Sequence, residues 1–409
     1  MLYQWHELQR ALLNPLSTWA QANANLYSHP NSPFSYAPLS RRIAASFELL
    51  YRLGKTYDKP TWDLPTTTVD GKEVAVNIEV DVDKPFCKLT HFKRDIPASR
   101  NAKDPRVLVF APLSGHHATL LRDTVRMLMQ DHDVWVTDWV DARLVPLSAG
   151  PFSLDDYIEY AKGFIRHLGP EVHLISVCQP TVPVMAAVSL LASAKDPHQP
   201  RSMTMMGGPI DTRVGQTEVN ALAMRKPLSW FENNVIYSVP AQHPGYLRKV
   251  YPGFLQHAGF IAMNPDRHTQ SHYDYYLDLV KGDLNDAEAH RKFYDEYNAV
   301  LDLPAEYYLQ TIKVVFQDYL LPRGEWVVRG HPVRPQDIKT VALMTVEGEL
   351  DDISGPGQTQ AAHRLCTGIP KERQFDFVVE GAGHYGIFSG RRWREVVYPK
   401  VRDFIKTHR

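Results

Sequence analysis

The stretch VHLISVCQPTVPVMAA, residues 172–187, joins a strand pattern to a helix pattern with only a few residues between them. The apolar run VHLISV predicts a buried strand, and TVPVMAAVSLLASA predicts a helix. Cys178 therefore occupies the tight turn between the two, which is where a nucleophile elbow places its nucleophile. Such a turn presents the side chain over the edge of the sheet, and the N-terminus of the following helix favours a thiolate.

The residues on either side of Cys178 fit this elbow unequally. Ser176 is small, as the position two before the nucleophile requires, whereas Pro180 stands where glycine is usual. Proline is favoured in the first turn of a helix, where its missing N–H costs nothing. Cysteine is also among the residues most often buried, so an inert core cysteine is the alternative that this stretch alone leaves open.

Around the elbow, short apolar runs alternate with helical patterns. The helical segments HATLLRDTVRMLMQ and SLDDYIEYAKGFIRHL separate the earlier runs, and TTTVDGKEVAV before them predicts antiparallel strands about a turn at Asp70-Gly71. This alternation predicts an α/β fold with a mostly parallel central sheet. The runs that predict strands buried on both faces are RVLVFAP, DVWVTDW, EVHLISV, RSMTMMGG, KTVALMTVEGE and QFDFVVEGAG.

Two later strand ends supply the partners that an elbow nucleophile needs. VALMTVEGELDD places Asp351 and Asp352 after one predicted strand, and FDFVVEGAGHYG places His384 after the last one, with glycines on both sides. Nucleophile, acid and histidine in this chain order are typical of the α/β-hydrolase fold. We predict that Cys178, Asp351 and His384 form a catalytic triad. Asp352 is the competing acid, and capping of a turn is the alternative role for Asp351.

A site of this kind also needs donors for the oxyanion. The backbone N–H of Gln179, directly after the nucleophile, is one predicted donor. The loop in VLVFAPLSGHH offers the second, from Ser114 or Gly115. His116 and His117 beside this loop either line the pocket or lie in solvent, and the sequence does not choose between the two.

The remaining charged and thiol groups are predicted to be structural. Asp138, Asp141 and Arg143 follow another predicted strand, and we expect them to tie their loop by salt bridges. Cys87 and Cys366 complete a sparse, odd set of three cysteines, which indicates a reducing compartment without disulfides. CxxC and HExxH spacings do not occur, so we expect neither a metal nor a cofactor.

The chain is predicted to have four parts: an N-terminal helical extension (1–60), the first part of the core (61–213), a helical lid (214–336) and the second part of the core (337–409). In the extension, Ser40 is expected to cap a helix that ends at Gly54. The lid is rich in rings, with 18 of the 44 aromatic residues between Trp230 and Trp326. These rings either pack the core of the lid itself or contact a substrate beneath it.

Composition excludes several classes of function. With 22% charged residues and a net charge of −1, the chain offers no strong field for nucleic acid or an anionic membrane. Apolar runs long enough to span a bilayer do not occur in the sequence. The first residues, MLYQWHELQR, lack the basic, apolar and small-residue order of a secretory signal. These observations predict a cytoplasmic protein.

The motifs together resemble those of the intracellular polyhydroxyalkanoate depolymerases, which degrade stored poly(3-hydroxybutyrate) in bacteria. The similar segments are PLSGHHATLLRDTVRMLM, DWVDARLVPLSAGPFSLDDYI, SVCQPTVPVMAA, MMGGPIDTR, EGELDDISGPGQT and EGAGHYGIFSGRRW, which span most of the chain. Cys-Gln-Pro in place of a serine elbow is the most specific of them. The resemblance implies that Cys178, Asp351 and His384 match the family's triad, that the polymer or its granule surface is the partner, and that the enzyme works at storage granules.

Several alternatives stay open at this point. A polyhydroxyalkanoate synthase has a related fold and a cysteine nucleophile, although glycines usually surround that cysteine and Gln179-Pro180 argues against it. A lid-bearing esterase or thioesterase acting on soluble substrates is a second enzyme, and a granule-surface binding protein is the alternative without catalysis. Hydrolysis, transfer of the acyl group to coenzyme A and a homo-oligomeric state are also left open.

Overall fold

The computed structural model describes residues 2–263 and 265–409, and a nine-stranded sheet forms its centre. Two smaller sheets, of three and two strands, lie outside it. In chain order the strands are β1 (Thr66–Val69), β2 (Lys72–Lys84), β3 (Cys87–Arg94), β4 (Arg106–Phe110), β5 (Asp133–Trp139), β6 (Val172–Val177), β7 (Ser202–Met206), β8 (Tyr237–Ser238), β9 (Lys249–Tyr251), β10 (Leu303–Pro304), β11 (Val327–Val328), β12 (His331–Pro332), β13 (Ala342–Gly348) and β14 (Gln374–Val379).

The large sheet has the strand order β1-β2-β3-β5-β4-β6-β7-β13-β14. All six apolar runs of the sequence form its parallel part, and β1 to β3 add an antiparallel edge. The chain order reverses at β4, which lies between β5 and β6, so the loops that follow β4 and β6 open at the same edge of the sheet. A mostly parallel sheet with this strand order is the α/β-hydrolase fold, as predicted.

One strand corrects the expectation that all six runs are buried on both faces. β14 pairs only with β13 and forms the edge of the sheet. Phe375 and Val378 are exposed there, because an edge strand lacks a neighbour on one side. β4, β5, β6, β7 and β13 are buried or nearly so along their whole length.

Helices pack on the sheet and extend beyond it, and none of those described is long and apolar enough to cross a bilayer. Within the core, α5 packs against α6 and α4 against α16. In chain order the helices are α1 (Leu2–Ser28), α2 (Ser40–Gly54), α3 (Ala98–Asn101), α4 (Arg122–Asp131), α5 (Leu154–Leu168), α6 (Thr181–Ser193), α7 (Glu218–Arg225), α8 (Leu228–Asn234), α9 (Gly253–Met263), α10 (Pro265–Lys281), α11 (Leu284–Tyr297), α12 (Ala305–Thr311), α13 (Leu320–Arg323), α14 (Ala362–Leu365), α15 (Gly390–Arg392) and α16 (Tyr398–Thr407).

The insertion between β7 and β13 carries α7 to α13, the three-stranded sheet β10-β9-β8 and the hairpin of β11 and β12. Of its 18 aromatic residues between Trp230 and Trp326, only Tyr246, Tyr273 and Phe293 are exposed. Six of the rings are buried and nine are half-buried, so burial leaves both interpretations of the sequence open.

The N-terminal part is a pair of helices, α1 and α2, packed along each other. Small side chains bring the two close, since the Cβ of Ser17 lies 3.2 Å from where a Cβ on Gly54 would be. The prediction that Ser40 caps α2 is wrong. Ser40 is the first residue of the helix and donates its hydroxyl to the carbonyl of Ser35, while Leu39 takes the cap position with φ of 63°.

Candidate active site

Cys178 lies in the turn between β6 and α6 with φ of 67°, a left-handed conformation that residues with a side chain rarely adopt. Its N–H donates a 2.7 Å hydrogen bond to the carbonyl of Met206 at the end of β7, and its carbonyl accepts one from the N–H of Thr181 at 3.1 Å. Strain of this kind costs of order 1–3 kcal/mol and persists only where the surroundings impose it. The thiol is free and only half-buried, unlike that of an inert core cysteine.

Asp351 and His384, after β13 and β14, meet beside this turn. His384 Nδ1 lies 2.8 Å from Asp351 Oδ2, and both residues are buried. Asp351 Oδ1 accepts the N–H groups of Ile353 and Ser354, each at 2.9 Å. The turn-capping role and the histidine contact therefore belong to the same carboxylate, one oxygen to each. Asp352, the competing acid, is exposed.

The pKa of His384 is shifted by opposing influences. Burial lowers this pKa, whereas the charge of Cys178, the hydrogen bond with Asp351, a hydrogen bond with Cys178 and the charge of Asp351 raise it, and the net result is about 10. Because Asp351 occupies Nδ1, Nε2 is the nitrogen left for the Cys178 sulfur. The surroundings thus favour the protonated form of the His384 imidazole near pH 7.

Two glycines at the end of β7 make room for this pair, a feature that the sequence analysis missed. Gly207 has φ of 54°, and a Cβ there would lie 3.2 Å from His384 Cε1 and 3.3 Å from Asp351 Oδ2. A Cβ on Gly208 would lie 1.8 Å from the hydroxyl of Thr181, in the first turn of α6. The signal was present, since Gly-Gly directly follows the predicted strand MTMM.

A second missed residue, Glu347, shapes the loop that carries the acid. Its carboxylate is buried and accepts three backbone N–H groups: those of Thr359 at 2.6 Å and Gln360 at 2.8 Å on one oxygen, and that of Gly357 at 2.8 Å on the other. These bonds close the loop after β13 onto the end of its own strand. Glu347 therefore holds the segment in which Asp351 lies.

The predicted oxyanion donors lie on the two neighbouring loops after β4 and β6. Ser114 is half-buried, and Gly115 is buried with φ of 116°. Among residues 2–263 and 265–409, the backbone N–H groups of Gln179, Ser114 and Gly115 have no hydrogen-bond acceptor. The carbonyl of Gly115 accepts the N–H of Leu301 at 2.8 Å, which fixes the loop. Both Ser114 and Gly115 therefore remain candidates for the second donor.

A tyrosine of the insertion holds the side chain of Gln179. Tyr307, on α12, is fully buried and donates its hydroxyl to Gln179 Oε1. Gln179 Nε2 is buried as well and has no partner within the described part of the chain. This contact attaches the insertion to the residue directly after Cys178.

The two histidines beside the oxyanion loop are buried, so the interpretation that they lie in solvent is wrong. His116 stacks on Phe260 and its Nε2 lies 3.2 Å from the carbonyl of Tyr297, both in the insertion. Burial lowers the pKa of His116 to about 4 and that of His117 to about 3. Both are neutral near pH 7 and support the loop by packing.

The three charged residues form salt bridges, as expected, but Asp138 lies within β5 and only Asp141 and Arg143 follow it. Asp141 pairs with Arg143, whose Nε lies 2.9 Å from the carboxylate. Asp138 pairs instead with Lys59, which comes from the segment after α2. Asp141 is buried and also accepts the N–H of Asp302 at 3.2 Å, so this loop is joined to the insertion.

Comparisons with solved structures give similar but distant folds. A putative lipase from Acinetobacter baumannii is 12% identical, with 82% of this chain and 93% of that chain covered and a TM-score of 0.43. A monoacylglycerol lipase from Paleococcus ferrophilus is 14% identical (75% and 96% covered, TM-score 0.44), as is a thermophilic esterase from Thermogutta terrifontis (84% and 98%, TM-score 0.40). The fold assignment rests on the strand order described above and not on these matches.

Sequence comparison is more specific. Among curated proteins, no sequence matches the chain. Residues 207–409, which contain the insertion, β13, β14, Asp351 and His384, match the protein family described as PHB de-polymerase C-terminus. The chain therefore belongs to the poly(3-hydroxybutyrate) depolymerase family and is a carboxylic ester hydrolase.

Proposed function

We propose that this protein hydrolyses the ester bonds of stored poly(3-hydroxybutyrate) to 3-hydroxybutyrate or its oligomers, with Cys178, His384 and Asp351 as its catalytic triad. The observation that carries the proposal is the contact of His384 Nδ1 with Asp351, together with the strained turn that presents Cys178. The influence of Cys178 on the pKa of His384 supports their proximity. The family supplies the class of substrate. We place the enzyme in the cytoplasm, at the polymer granules.

The first half of the reaction forms an acyl-enzyme. The Cys178 thiolate attacks the carbonyl carbon of an ester. The N–H of Gln179 and that of Ser114 or Gly115 donate hydrogen bonds to the oxyanion that forms and stabilise its charge. As the tetrahedral intermediate collapses, the carbon–oxygen bond of the ester breaks. The imidazolium of His384 gives its proton to the departing alkoxide, which is the hydroxyl end of the shortened polymer. Asp351 keeps the imidazole in the required tautomer.

The second half releases the acid. His384, now neutral, takes a proton from a water molecule, and the resulting hydroxide attacks the carbonyl carbon of the thioester. The carbon–sulfur bond breaks, a carboxylic acid leaves, and the proton on His384 restores the pair with the Cys178 thiolate. The same two N–H donors serve both tetrahedral intermediates.

Release of 3-hydroxybutyrate from amorphous poly(3-hydroxybutyrate) particles tests the proposal. Wild type should release acid, and Cys178→Ala should release none while melting at the same temperature. Cys366→Ala is the matched control, because Cys366 is also free but lies buried in the core. If Cys178→Ala retains activity, the triad is wrong. If wild type cleaves only soluble esters, the polymer is not the substrate, and polymerisation from 3-hydroxybutyryl-coenzyme A is then the next assay.

A further inference from the structure

The outer face of α1 carries a continuous apolar stripe. Trp5, Leu8, Leu12, Leu16 and Trp19 follow one another at intervals of three and four residues and are all exposed, Trp5 by 59% and Leu12 by 70%. At 100° per residue they fall within an arc of about 80° on the helix. A surface helix normally packs such a stripe against the core. Here the stripe faces solvent, so it does not contribute to the core, and an exposed apolar surface of this kind indicates a binding site.

The opposite face of α1 already has its partner. Its buried residues are Tyr3, Ser17, Ala20 and Ala24, which pack on α2 and on the insertion. The fold therefore uses a face of small residues for internal packing and leaves the large apolar side chains outside. Within the part of the chain that the structure describes, these large side chains are left exposed to solvent.

The low charge of α1 indicates what kind of surface its stripe could bind. Among the 27 residues of α1, Glu7 and Arg10 are the only ones with a full charge, and they pair with each other at 3.3 Å. Helices that lie on anionic lipid surfaces add lysines and arginines beside their apolar face. A neutral helix without them matches a neutral, apolar surface instead.

Size also argues against a second copy of the chain as the partner. From Trp5 to Leu26, which is also exposed, the stripe is about 32 Å long and about 10 Å wide, or roughly 300 Å². A stable protein interface buries about 800 Å² on each side. A narrow stripe of this kind is suited to a continuous surface on which many molecules adsorb side by side.

The inner face of α1, opposite the stripe, is linked to the oxyanion loop through residues of the insertion. At the start of α1, the hydroxyl of Tyr3 donates to Asp302, whose neighbour Leu301 donates its N–H to the carbonyl of Gly115. His6 stacks on Phe254 of α9. Further along α9, the side chain of Gln256 lies beside Gly115, 2.8 Å from the site of an added Cβ. The helix that carries the stripe therefore packs, by its other face, on the segments that support the oxyanion loop.

We propose that the outer stripe of α1 docks the enzyme on the surface of amorphous poly(3-hydroxybutyrate), an uncharged aliphatic polyester. This inference rests on the proposed function for the identity of the polyester. It assigns surface binding to the N-terminal helix, whereas only three of the 18 aromatic rings of the insertion are exposed.

Co-sedimentation with protein-free amorphous poly(3-hydroxybutyrate) particles tests the docking directly. The test variant is Leu8→Gln with Leu12→Gln and Leu16→Gln, since glutamine keeps the helix but removes the apolar surface. The matched control is Leu284→Gln with Val327→Gln and Val396→Gln, three exposed apolar residues of other elements. We expect the test variant to bind particles at least about tenfold more weakly, given about 25 cal/mol for each Å² of apolar surface buried. The control should bind as wild type does.

Turnover of a soluble p-nitrophenyl ester by the same variants separates docking from catalysis, because it needs the triad but no particle. The proposal is overturned if the test variant binds particles as tightly as wild type, if wild type binds anionic phospholipid vesicles equally well, or if the three substitutions only dissociate a dimer. If wild type binds particles through α1 but releases no acid, the docking stands and the proposed function fails. If the test variant releases acid from particles as fast as wild type, the docking fails and the proposed function stands.

Discussion

Two buried carboxylates follow strands of the same sheet, and their surroundings give them different roles. Asp351, after β13, accepts two backbone N–H groups on one oxygen and contacts His384 with the other. Asp141, after β5, pairs with Arg143 and lies against a second buried carboxylate, that of Asp302. One acid therefore faces a base that can be protonated, and the other faces a like charge.

The second site joins three parts of the chain that are distant in sequence. Asp302, in the insertion, accepts the hydroxyl of Tyr3 from α1 at 2.5 Å and the N–H of Gly253 at 2.8 Å. Burial, followed by the charge of Asp302, raises the pKa of Asp141 to about 7, and burial also raises the pKa of Asp302. This cluster fastens α1 and the insertion to the loop after β5. An acid after a strand thus contacts a histidine at one site and joins distant segments of the chain at the other.

The largest expected difference between Asp351 and Asp141 is in the effect of their substitution on kcat. Asp351→Asn keeps an oxygen for the N–H groups of Ile353 and Ser354 but leaves His384 without its carboxylate, so we expect kcat to fall roughly a thousandfold. Asp141→Asn should keep kcat within about tenfold of wild type, because Asp141 contacts none of the reacting groups. Steady-state kinetics on a soluble ester measure both. If kcat fell equally in the two variants, the proposed difference between a catalytic Asp351 and a structural Asp141 would be wrong.

The pH dependence of stability should change in Asp141→Asn, the variant in which activity changes little. A carboxyl whose pKa is raised on folding binds its proton more tightly in the folded state, so the protein loses stability as the pH rises from about 4 to about 7. Asp141→Asn removes this titration. We therefore expect the free energy of unfolding of Asp141→Asn, relative to that of wild type, to increase by about 1–3 kcal/mol from pH 4 to pH 8.

Thermal and urea unfolding across this range measure the trend. Asp352→Asn is the control, since that carboxylate is exposed and should leave the difference from wild type flat. A flat difference for Asp141→Asn as well would mean that neither burial nor the second carboxylate, Asp302, raises the pKa of Asp141.

Much of this arrangement could be predicted because strand ends can be read from sequence. Apolar runs mark the strands of a parallel sheet, and their carboxyl ends meet at one edge, so Cys178, Asp351 and His384 could be brought together without coordinates. Asp351 and Asp352 could not be separated in this way. They are neighbours in one loop, and which of them points inward depends on how Glu347 closes that loop.

The contacts that lacked any local pattern could not be predicted. Tyr307 and Gln179 are 128 residues apart, and Tyr3 and Asp302 are 299 apart, so only the packed fold pairs them. The stripe of α1 differs, because its spacing of three and four residues is visible in the sequence and was not read there. Its outward direction is the part that needs the structure, since periodicity alone does not say which face is covered.

The pKa of His384 tests whether Cys178 and His384 interact as the triad requires. It is raised to about 10 although burial lowers it, and the largest influence that raises it is the charge of Cys178. In Cys178→Ala we expect this pKa to fall by at least about one unit, equivalent to about 1.4 kcal/mol. NMR titration of the His384 imidazole measures it, with Cys366→Ala as a control that should leave it unchanged. An unaltered pKa in Cys178→Ala would mean that His384 and Cys178 do not share a proton.

The smallest expected effect concerns the oxyanion side of the site, where Tyr307 positions Gln179. Tyr307→Phe keeps the ring but removes the hydroxyl that Gln179 Oε1 accepts, so the residue that carries the first oxyanion donor is held less firmly. We expect kcat to fall by about three- to tenfold with KM unchanged, because the donor acts mainly in the transition state.

Tyr157→Phe is the matched control for this change. Tyr157 stacks on Tyr307 at 5.8 Å between ring centroids, and its buried hydroxyl has no partner among the residues that the structure describes. Removing that hydroxyl should leave kcat at the wild-type value, whereas a general loosening of the aromatic packing would lower kcat equally in both variants. A fall in kcat confined to Tyr307→Phe would therefore assign the effect to Gln179, and with it to the oxyanion donor that the insertion holds in place.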